Sequence, residues 1–306
     1  MTKLLKLDTV LLLTSLSIIT LLVISCNAEQ PVQRTHQDKP VIQNLNNALT
    51  LQEYFNQENY TWPISAQEQI PDIFLETMPK DLKQLSSIKT KKTLFIQILL
   101  PLILAEQQNI LKKRQRVIQL IEQSGDDISI ENNPWFASLI NEYRIKKSLD
   151  SNSQKQLLLK RIDSLPAELV IAQAAIESGW GTSRFALEGN SLFGEWTFEK
   201  QAGLVPNDRH AEKTHQVKKF ESLQLSIRSY IKNINRNNAY KELRDARFEM
   251  RKNNRKFDAL ELAKYLHRYS QKGEDYVKSL HQLMKSPELT LISKLDINDS
   301  APIPSS

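Results

Sequence analysis

The sequence predicts a mainly α protein of the α+β class, in which helices dominate and strands are short. Three observations lead to this prediction. Apolar residues recur at helical spacing from about 86 to 123. A Ser-Leu-Pro start and two closely spaced glycines bracket another helix between 164 and 181. Residues 215–220 alternate between polar and apolar side chains in the manner of a short strand.

The first 26 residues have the pattern of a secretion signal. Lys3 and Lys6 precede an apolar run of 15 residues, 10–24, which is short for a membrane span and typical of a signal-peptide core. The run ends in Val-Ile-Ser-Cys, and Cys26 is the only cysteine of the chain. This ending resembles the lipobox of bacterial lipoproteins, in which the cysteine is lipidated and becomes the mature N-terminus. An ordinary signal peptide or an anchor helix is the alternative.

The lipobox resemblance implies a signal peptide over 1–25 and attachment to a membrane through lipidated Cys26. Asn27 resembles the sorting class that is sent to the outer membrane, so we expect the protein there, facing the periplasm. Residues 26–69 are rich in polar residues and predict a largely flexible tether, with at most a short helix near 45–55. A lone cysteine excludes a disulfide within the chain and a multi-cysteine metal site.

Composition restricts the class of partner. The chain has 306 residues, of which 40% are hydrophobic and 25% charged, so most of it should be globular. Its formal charge is +6, which favours anionic surroundings. The sequence contains neither a zinc-finger signature nor a recognition-helix signature, and we therefore predict no nucleic-acid partner.

The middle of the chain, 70–160, predicts helices that support a functional domain located after them. The helix over 86–123 includes Pro101, where we expect a kink, and its apolar part is too short to span a bilayer. Pro134 is placed to begin a second helix, and residues 155–162 predict a third. The functional domain itself is predicted over 161–290, and a loose tail is predicted over 291–306.

Glu177 is the strongest candidate for catalysis. Five of the seven glycines of the chain fall between 164 and 206, and the first two end the helix that carries Glu177. A carboxylate in the last turn faces the negative end of the helix dipole, and Trp180 and Phe185 can exclude water from it. Both effects raise the pKa of a carboxyl group, and a protonated carboxylic acid is what cleavage of a glycosidic bond requires. The alternative is a surface glutamate at a helix end.

The segment AQAAIESGWGTSRFALEGNSLFGEWTF (172–198) resembles the peptidoglycan-cleaving β-N-acetylglucosaminidases of the flagellar-muramidase type, and the Bax-type proteins within that superfamily most closely. The spaced motif Glu-Ser-Gly-Trp-Gly-Thr-Ser-Arg with Asn-x-x-Phe-Gly makes the resemblance specific. Further matching pieces extend it over about 70–290. They are KTLFIQILLPLILAEQQNILKKRQ (92–115), GLVP (203–206), HQVKKF (215–220), SIRSYIKNINRNNAYKELRDAR (226–247) and YSQKGEDYVKSLHQLM (269–284).

The resemblance implies a lysozyme-like fold, with a helical domain, a small β-hairpin lobe between about 195 and 220, and a long cleft between them. It also implies roles for individual residues. Glu177 matches the general acid, and Tyr269 matches a tyrosine beside the catalytic site, with a plain core tyrosine as the alternative. Phe193 could equally be a core residue. The residues expected to wall the cleft and hold sugars are Trp180, Asn190, Phe193 and Gly194.

The second catalytic carboxylate is left open. Bax-type sequences usually read His-Glu-Val where this chain has Gln216 between His215 and Val217. Glu195 and Glu212 are the nearest substitutes, and spacing does not choose between them. The acetamido group of the sugar could also serve as internal nucleophile, as in substrate-assisted glycosidases.

A metal or cofactor site is not expected. His210 and His215 are five residues apart, but no metalloprotease motif or cysteine accompanies them. We therefore predict no metal and no cofactor. The expected function is an endo-type peptidoglycan hydrolase that cleaves the β-1,4 bond after N-acetylglucosamine. The alternatives are a lytic transglycosylase, which the Asn-x-x-Phe-Gly segment argues against, and a non-catalytic wall-binding lipoprotein, which Gln216 keeps open.

The lipid anchor is testable in cells. Metabolic labelling with a palmitate analogue should mark the protein, and Cys26→Ser should abolish the label because it removes the only thiol. A Glu177→Gln variant, expressed to the same level, is the control and should keep the label. Label that persists on Cys26→Ser would contradict the lipobox interpretation.

Overall fold

The computed structural model describes residues 41–42, 45, 47–64, 70–124, 133–199, 202–206 and 215–295. The signal peptide with Cys26, and the candidates Glu212 and His210, lie outside the described residues. Within the described part, helices dominate. The α-helices are α1 (Ala48–Gln57), α2 (Ile88–Ser124), α3 (Pro134–Glu142), α4 (Ser151–Arg161), α5 (Ala167–Ser178), α6 (Arg184–Gly189), α7 (Leu223–Arg236), α8 (Lys241–Lys252), α9 (Ala259–Ala263), α10 (Glu274–Met284) and α11 (Pro287–Lys294).

Short strands form two small sheets in the described part of the chain. The parallel pair is β1 (Val41–Ile42) with β2 (Phe74–Leu75). The three-stranded antiparallel sheet has the order β3-β5-β4 and is formed by β3 (Trp196–Thr197), β4 (Gly203–Leu204) and β5 (Gln216–Lys218). The second sheet lies in the interval where the resemblance implies a β lobe. The predicted class, mainly α with a small β lobe, is confirmed.

Helix α5 is the centre of the larger core. It packs against α2, α9, α10 and α11, and nine of its twelve residues are buried. A helix that is apolar on every side can be stable only when neighbours surround it. The two long helices α2 and α7 also pack on one another. Glu177 is therefore carried by the element that its surroundings hold most firmly.

Helix α2 links this larger core to a second one. The second core is formed by the C-terminal part of α2 with α3 and α4, and it includes Val117, Phe136, Ile140, Leu158 and Ile162. By length and composition α2 could cross a membrane, but 72% of its most apolar 18-residue window is buried against the protein. This burial agrees with the predicted core helix. The helix continues through Pro101.

The folded region extends beyond the predicted one at both ends of the sequence. Residues 48–64 fall within the predicted tether, yet Leu51, Phe55 and Tyr60 are buried in the larger core. The polar composition hid this because three apolar residues at helical spacing, Ala48, Leu51 and Phe55, suffice to anchor α1. At the other end α11 runs to Lys294, with Leu289 and Ile292 buried, so the tail cannot begin at 291.

A buried acidic residue just before α5, Asp163, contacts arginine side chains from α2 and α8. Asp163 is almost fully buried, and Arg251 of α8 donates two hydrogen bonds to it, at 2.7 and 2.6 Å. Arg114 of α2 lies 3.5 Å from the same carboxylate. Arg247 of α8 donates to the backbone carbonyl of Ser164 at 2.9 Å. Burial raises the pKa of Asp163, but the three guanidinium groups outweigh it and leave the pKa below its usual value.

This cluster yields a stability prediction. Asp163→Asn should lower the free energy of unfolding by about 3–5 kcal/mol, because it leaves buried arginines without their anion. Because its folded-state pKa is depressed, the stabilisation by Asp163 is present at neutral pH. It should be lost as the pH falls from the unfolded value through the folded-state pKa. Denaturant unfolding across this range measures both effects.

The matched control is Asp245→Asn. Asp245 pairs with Lys160 and Lys241 at the partly exposed surface, and such pairs contribute about 1 kcal/mol or less. Equal losses for the two variants would contradict the role given to Asp163.

Candidate active site

The end of α5 fixes the position of Glu177. Gly179 adopts a left-handed conformation, with φ of 58°, which ends the helix directly after Ser178. The Ser178 hydroxyl donates to Ala174 O at 2.6 Å and accepts from the Gly181 N–H at 2.8 Å. The turn is therefore tied to the helix on both sides. At the other end, Pro166 takes the N-cap position and makes no side-chain cap hydrogen bond, so the helix begins at Ala167, three residues after Ser164.

Glu177 is half-buried and faces the Asn-x-x-Phe-Gly segment. A methyl group built on Gly194 would lie 3.8 Å from Glu177 Oε2, and Gly194 has φ of 63°. Burial raises the pKa of Glu177, while a hydrogen bond from Tyr276 and the charge of Lys272 offset part of this rise. The direction of the shift is the one predicted from the sequence. The cause is desolvation by the surrounding residues.

A buried hydrogen-bond chain supports Glu177 from within. Tyr230 donates to Gln173 Oε1, and Gln173 Nε2 donates to Tyr276 Oη at 3.0 Å. Tyr276 in turn hydrogen-bonds the Glu177 carboxylate. Gln173 lies one helical turn before Glu177 on α5, so both side chains project from the same face. The chain fixes the direction of the Tyr276 hydroxyl and the rotamer of Glu177.

The sequence did not predict the roles of Tyr276 and Gln173. Tyr276 lies in the same matching segment as Tyr269, which was the only tyrosine predicted there. Gln173 did offer a signal, since it is a polar residue four positions before Glu177 in a helix that is otherwise apolar. A fully buried amide in such a helix needs partners for all its polar atoms. That requirement indicates hydroxyl groups from elsewhere in the chain.

Tyr269 and Phe193 form the aromatic wall beside this chain. The Tyr269 hydroxyl donates to Phe193 O at 2.9 Å, and its ring stacks on Tyr276 with centroids 5.5 Å apart. Phe193 is buried and stacks on Tyr230 at 4.0 Å. Tyr269 therefore holds the backbone that leads to Gly194. It remains partly exposed, so it can also face a ligand.

Asn190 supports the site through the backbone. It ends α6 in a left-handed conformation, with φ of 51°, and it is 7% exposed. Its Nδ2 donates to Phe220 O at 3.1 Å and to Glu221 O at 3.3 Å. These bonds fasten the return of the β lobe to the segment that carries Gly194. The expected sugar contact would have to compete with these bonds.

Trp180 packs on α2. Its ring meets Phe95 edge to face, with centroids 5.6 Å apart, and the Lys92 ammonium group lies 5.0 Å from the ring centroid. The ring is half-buried. This contact couples the turn after Glu177 to the supporting helix, and only the exposed part of the ring is free to meet sugar.

Glu195 is the candidate partner carboxylate within the described residues. Ser229 donates to its Oε2 at 2.8 Å, whereas its Oε1 is buried and has no hydrogen-bond partner among the described residues. Burial raises the pKa of Glu195, and Ser229, Lys218 and Arg236 offset part of this rise. Burial, together with the charges of Glu195 and Glu177, also raises the pKa of Tyr240 to about 12. Both carboxylates therefore act on the same tyrosine.

Gln216 lies on β5, in the register position opposite Thr197 of β3. Its Oε1 is buried and has no hydrogen-bond partner among the described residues. An amide cannot replace the missing glutamate as a proton carrier. In the part of the chain that the structure describes, no group of three or more His, Cys, Asp or Glu residues could hold a metal ion.

The β lobe exposes an aromatic surface that the sequence did not assign to the site. Trp196, directly after Glu195, is 59% exposed and stacks on His215 with centroids 4.2 Å apart. Phe198 is 74% exposed. Flat exposed aromatic rings are apolar faces on which the faces of sugar rings can pack. The available signal was that two aromatic residues, Trp196 and Phe198, follow Glu195 at alternate positions.

Comparison with known proteins agrees with this site. Residues 154–289 match the family model described as Mannosyl-glycoprotein endo-beta-N-acetylglucosaminidase. This interval is therefore similar to a glucosaminidase domain. It is also 29% identical to Protein bax of Escherichia coli (strain K12) over 199 residues, which are 64% of this chain and 69% of that protein. No solved structure gave a significant match.

The predicted resemblance to Bax-type, glucosaminidase-like proteins is confirmed. The glucosaminidase family supports activity of the glycoside hydrolase kind. The matched interval begins in α4 and ends in α11, so it contains α5, the β lobe and α10. Glu177, Glu195 and the tyrosines around them all lie inside it.

The hydrogen-bond chain predicts how the pKa of Glu177 responds to mutation. Tyr276→Phe removes a donor that favours the ionised carboxylate, so the pKa of Glu177 should rise above its wild-type value. NMR titration of protein labelled at the glutamate carboxyl carbon measures it, with Glu177→Gln assigning the signal. Tyr269→Phe is the control, because that hydroxyl donates to Phe193 O. An unchanged pKa in Tyr276→Phe, or equal shifts in both variants, would contradict the chain.

Proposed function

We propose that the protein hydrolyses the β-1,4 bond that follows N-acetylglucosamine in peptidoglycan, with Glu177 as the general acid. One observation carries the proposal. A carboxyl group with a raised pKa ends a buried helix and faces the glycine of the Asn-x-x-Phe-Gly segment. A carboxylic acid that stays protonated near neutral pH can protonate the leaving oxygen of a glycoside. The absence of a side chain at Gly194 keeps the space beside Glu177 Oε2 open.

Glu195 is proposed as the second carboxylate. Its unpartnered Oε1 can accept a hydrogen bond from a water molecule or from the sugar, and Ser229 holds its other oxygen in place. Burial raises the pKa of Glu195 above its usual value, and the charges of Lys218 and Arg236 offset part of this rise, so the ionised form would need the support of these two cations. An ionised Glu195 could then activate water or stabilise positive charge that develops on the sugar ring. Glu212 lies outside the described residues, and substrate assistance by the acetamido group is the competing mechanism.

The aromatic surface of the β lobe supports a glycan substrate. Trp196 and Phe198 are exposed next to Glu195 in the chain, and sugars pack their apolar faces on such rings. The overall positive charge of the chain agrees with an anionic polymer. We further propose that the protein works on the wall from the outer membrane, to which lipidated Cys26 would attach it.

Experiments can distinguish two alternative functions from the proposed one. Gln216, in the position where Bax-type sequences usually have glutamate, favours a wall-binding protein without turnover. A lytic transglycosylase would also use a single glutamate, but it would leave an anhydro sugar at the new end. A peptidoglycan zymogram decides between turnover and none, and mass spectrometry of the digest separates hydrolysis from transglycosylation.

Glu177→Gln should lower the rate of hydrolysis about 10²–10⁴-fold, the usual contribution of a general acid. The activity of the wild type should decline as the pH rises through the raised pKa of Glu177, because the ionised form has no proton to give. Release of reducing ends from purified peptidoglycan, measured across pH, tests both statements.

Glu188→Gln is the matched control, since Glu188 is exposed on α6 and pairs only with Arg184 among the described residues. It should keep the wild-type rate and pH profile. In the same assay Glu195→Gln should also slow hydrolysis. Wild-type activity of Glu195→Gln would instead favour substrate assistance, and wild-type activity of Glu177→Gln would overturn the proposal.

A further inference from the structure

A pocket that is separate from the candidate active site lies where α2, α3 and α7 meet. Its volume is about 300 Å³, large enough for a small ligand. It contains none of the residues assigned to catalysis. The charged residues that line it come from the supporting helices as well as from α7. They are Glu106, Lys113, Glu142, Arg228 and Lys232.

The charges in this pocket are arranged around two carboxylates. Arg228 holds Glu106 with two hydrogen bonds, at 3.0 and 2.7 Å. Lys232 and Lys113 both reach Glu142, at 3.0 and 3.3 Å. Three cations therefore face two anions, which leaves one positive charge in excess. Burial raises the pKa of Glu142, but the two lysines outweigh it and keep the pKa below its usual value.

The cations in this pocket are accessible. The Arg228 side chain is about half exposed, and those of Lys113 and Lys232 are about one third exposed. Ion pairs at such sites are weak and can rearrange at little cost. An incoming carboxylate can therefore share the lysines with Glu142. The excess positive charge favours such a group over a cation.

Asn235 supplies an independent observation. It lines the same pocket and is only 1% exposed. Its Nδ2 donates to Asp163 O at 2.9 Å, which fixes the orientation of the amide. Its Oδ1 has no hydrogen-bond partner among the described residues. A ligand N–H group could supply the missing donor once the pocket wall at Asn235 opens, because less than 1 Å² of this oxygen is accessible.

We infer that this pocket binds a peptide segment that carries a free carboxylate, with the carboxylate on Lys113 and Lys232 and an amide N–H on Asn235. The inference rests on the proposed function for the identity of the peptide, which would be the stem peptide of the wall polymer. The location of the pocket supports a link to the candidate active site. Arg228 lines the pocket, and the next residue on α7, Ser229, donates a hydrogen bond to Glu195. A single helix therefore serves the catalytic cleft and the pocket.

Titration calorimetry with the full chain in detergent tests this. The probe is a synthetic stem peptide with free carboxylates, and the comparison probe is the same peptide with its carboxylates amidated. The free peptide should bind, and Lys232→Ala should weaken binding about tenfold or more, since a charged hydrogen bond is lost. The amidated peptide should bind the wild type as weakly as the free peptide binds Lys232→Ala. Binding should also weaken as salt increases.

Lys241→Ala is the matched control, because Lys241 is an exposed lysine that pairs with Asp245 on α8, away from the pocket. It should bind the peptide as the wild type does. No binding by the wild type, or equal binding by Lys232→Ala, would overturn the inference. Equal competition by inorganic phosphate would show a general anion site and would overturn the peptide assignment.

The titration is independent of hydrolysis. A protein that binds the peptide but gives no clearing on the zymogram would retain this inference and lose the proposed function. A protein that cleaves the wall but ignores the peptide would do the reverse. Circular dichroism of Lys232→Ala establishes that weakened binding comes from the lost ammonium group and not from unfolding.

Discussion

The position of Glu177 depends on the buried ion cluster at Asp163. This carboxylate stands at the junction between α4 and α5, and arginines from α2 and α8 converge on it. A buried carboxylate is costly unless it is paired and hydrogen-bonded, and here both conditions are met. The cluster therefore fixes where α5 begins relative to the supporting helices. The same element delivers Glu177 in its last turn.

Asp163 is surrounded by more arginines than one carboxylate can pair with, and backbone carbonyl groups also accept hydrogen bonds from them. Arg247 and Arg114 donate to carbonyl groups near the end of α4, where the helix leaves acceptors unpaired. Asn235 of α7 donates to Asp163 O. The junction is thus tied to α2, α7 and α8 by polar bonds inside a largely apolar core. Arg114 of α2, which lies before the matched family interval, takes part in these bonds.

Most of the helical architecture was predictable from the sequence. Apolar spacing predicted α2, the proline at its start predicted α3, and the glycines predicted the end of α5. The errors have physical causes. Tether residues such as Phe55 lie in polar surroundings, so composition concealed an apolar face that only tertiary packing reveals. Pro166 takes the N-cap position three residues after Asp163, whose arginine partners on α2 and α8 are distant in sequence.

The candidate site likewise contains features that local sequence predicts and features that only tertiary packing reveals. The direction of the pKa shift of Glu177 was predictable because a helix end with nearby aromatic residues is a local feature, and burial is the cause of the shift. Tyr276 was not, because it lies 99 residues after Glu177 in the numbering and meets it only through the packing of α10 on α5. The surroundings of Glu195 also required the structure. Spacing alone could not show that this carboxylate is largely buried and accepts a hydrogen bond from Ser229.

The chemistry at Glu177 comes from two opposing effects of one environment. Burial favours the neutral acid, and the Tyr276 hydroxyl favours the ionised carboxylate. A general acid needs both, because it must hold its proton before bond cleavage and be stable without it afterwards. If Tyr276 can remain a donor to Glu177 throughout, because Gln173 occupies its acceptor side, then the chain stabilises the product of proton transfer. In the proposed mechanism, the buried amide of Gln173 would contribute by fixing the direction of a hydrogen bond that it does not itself make to Glu177.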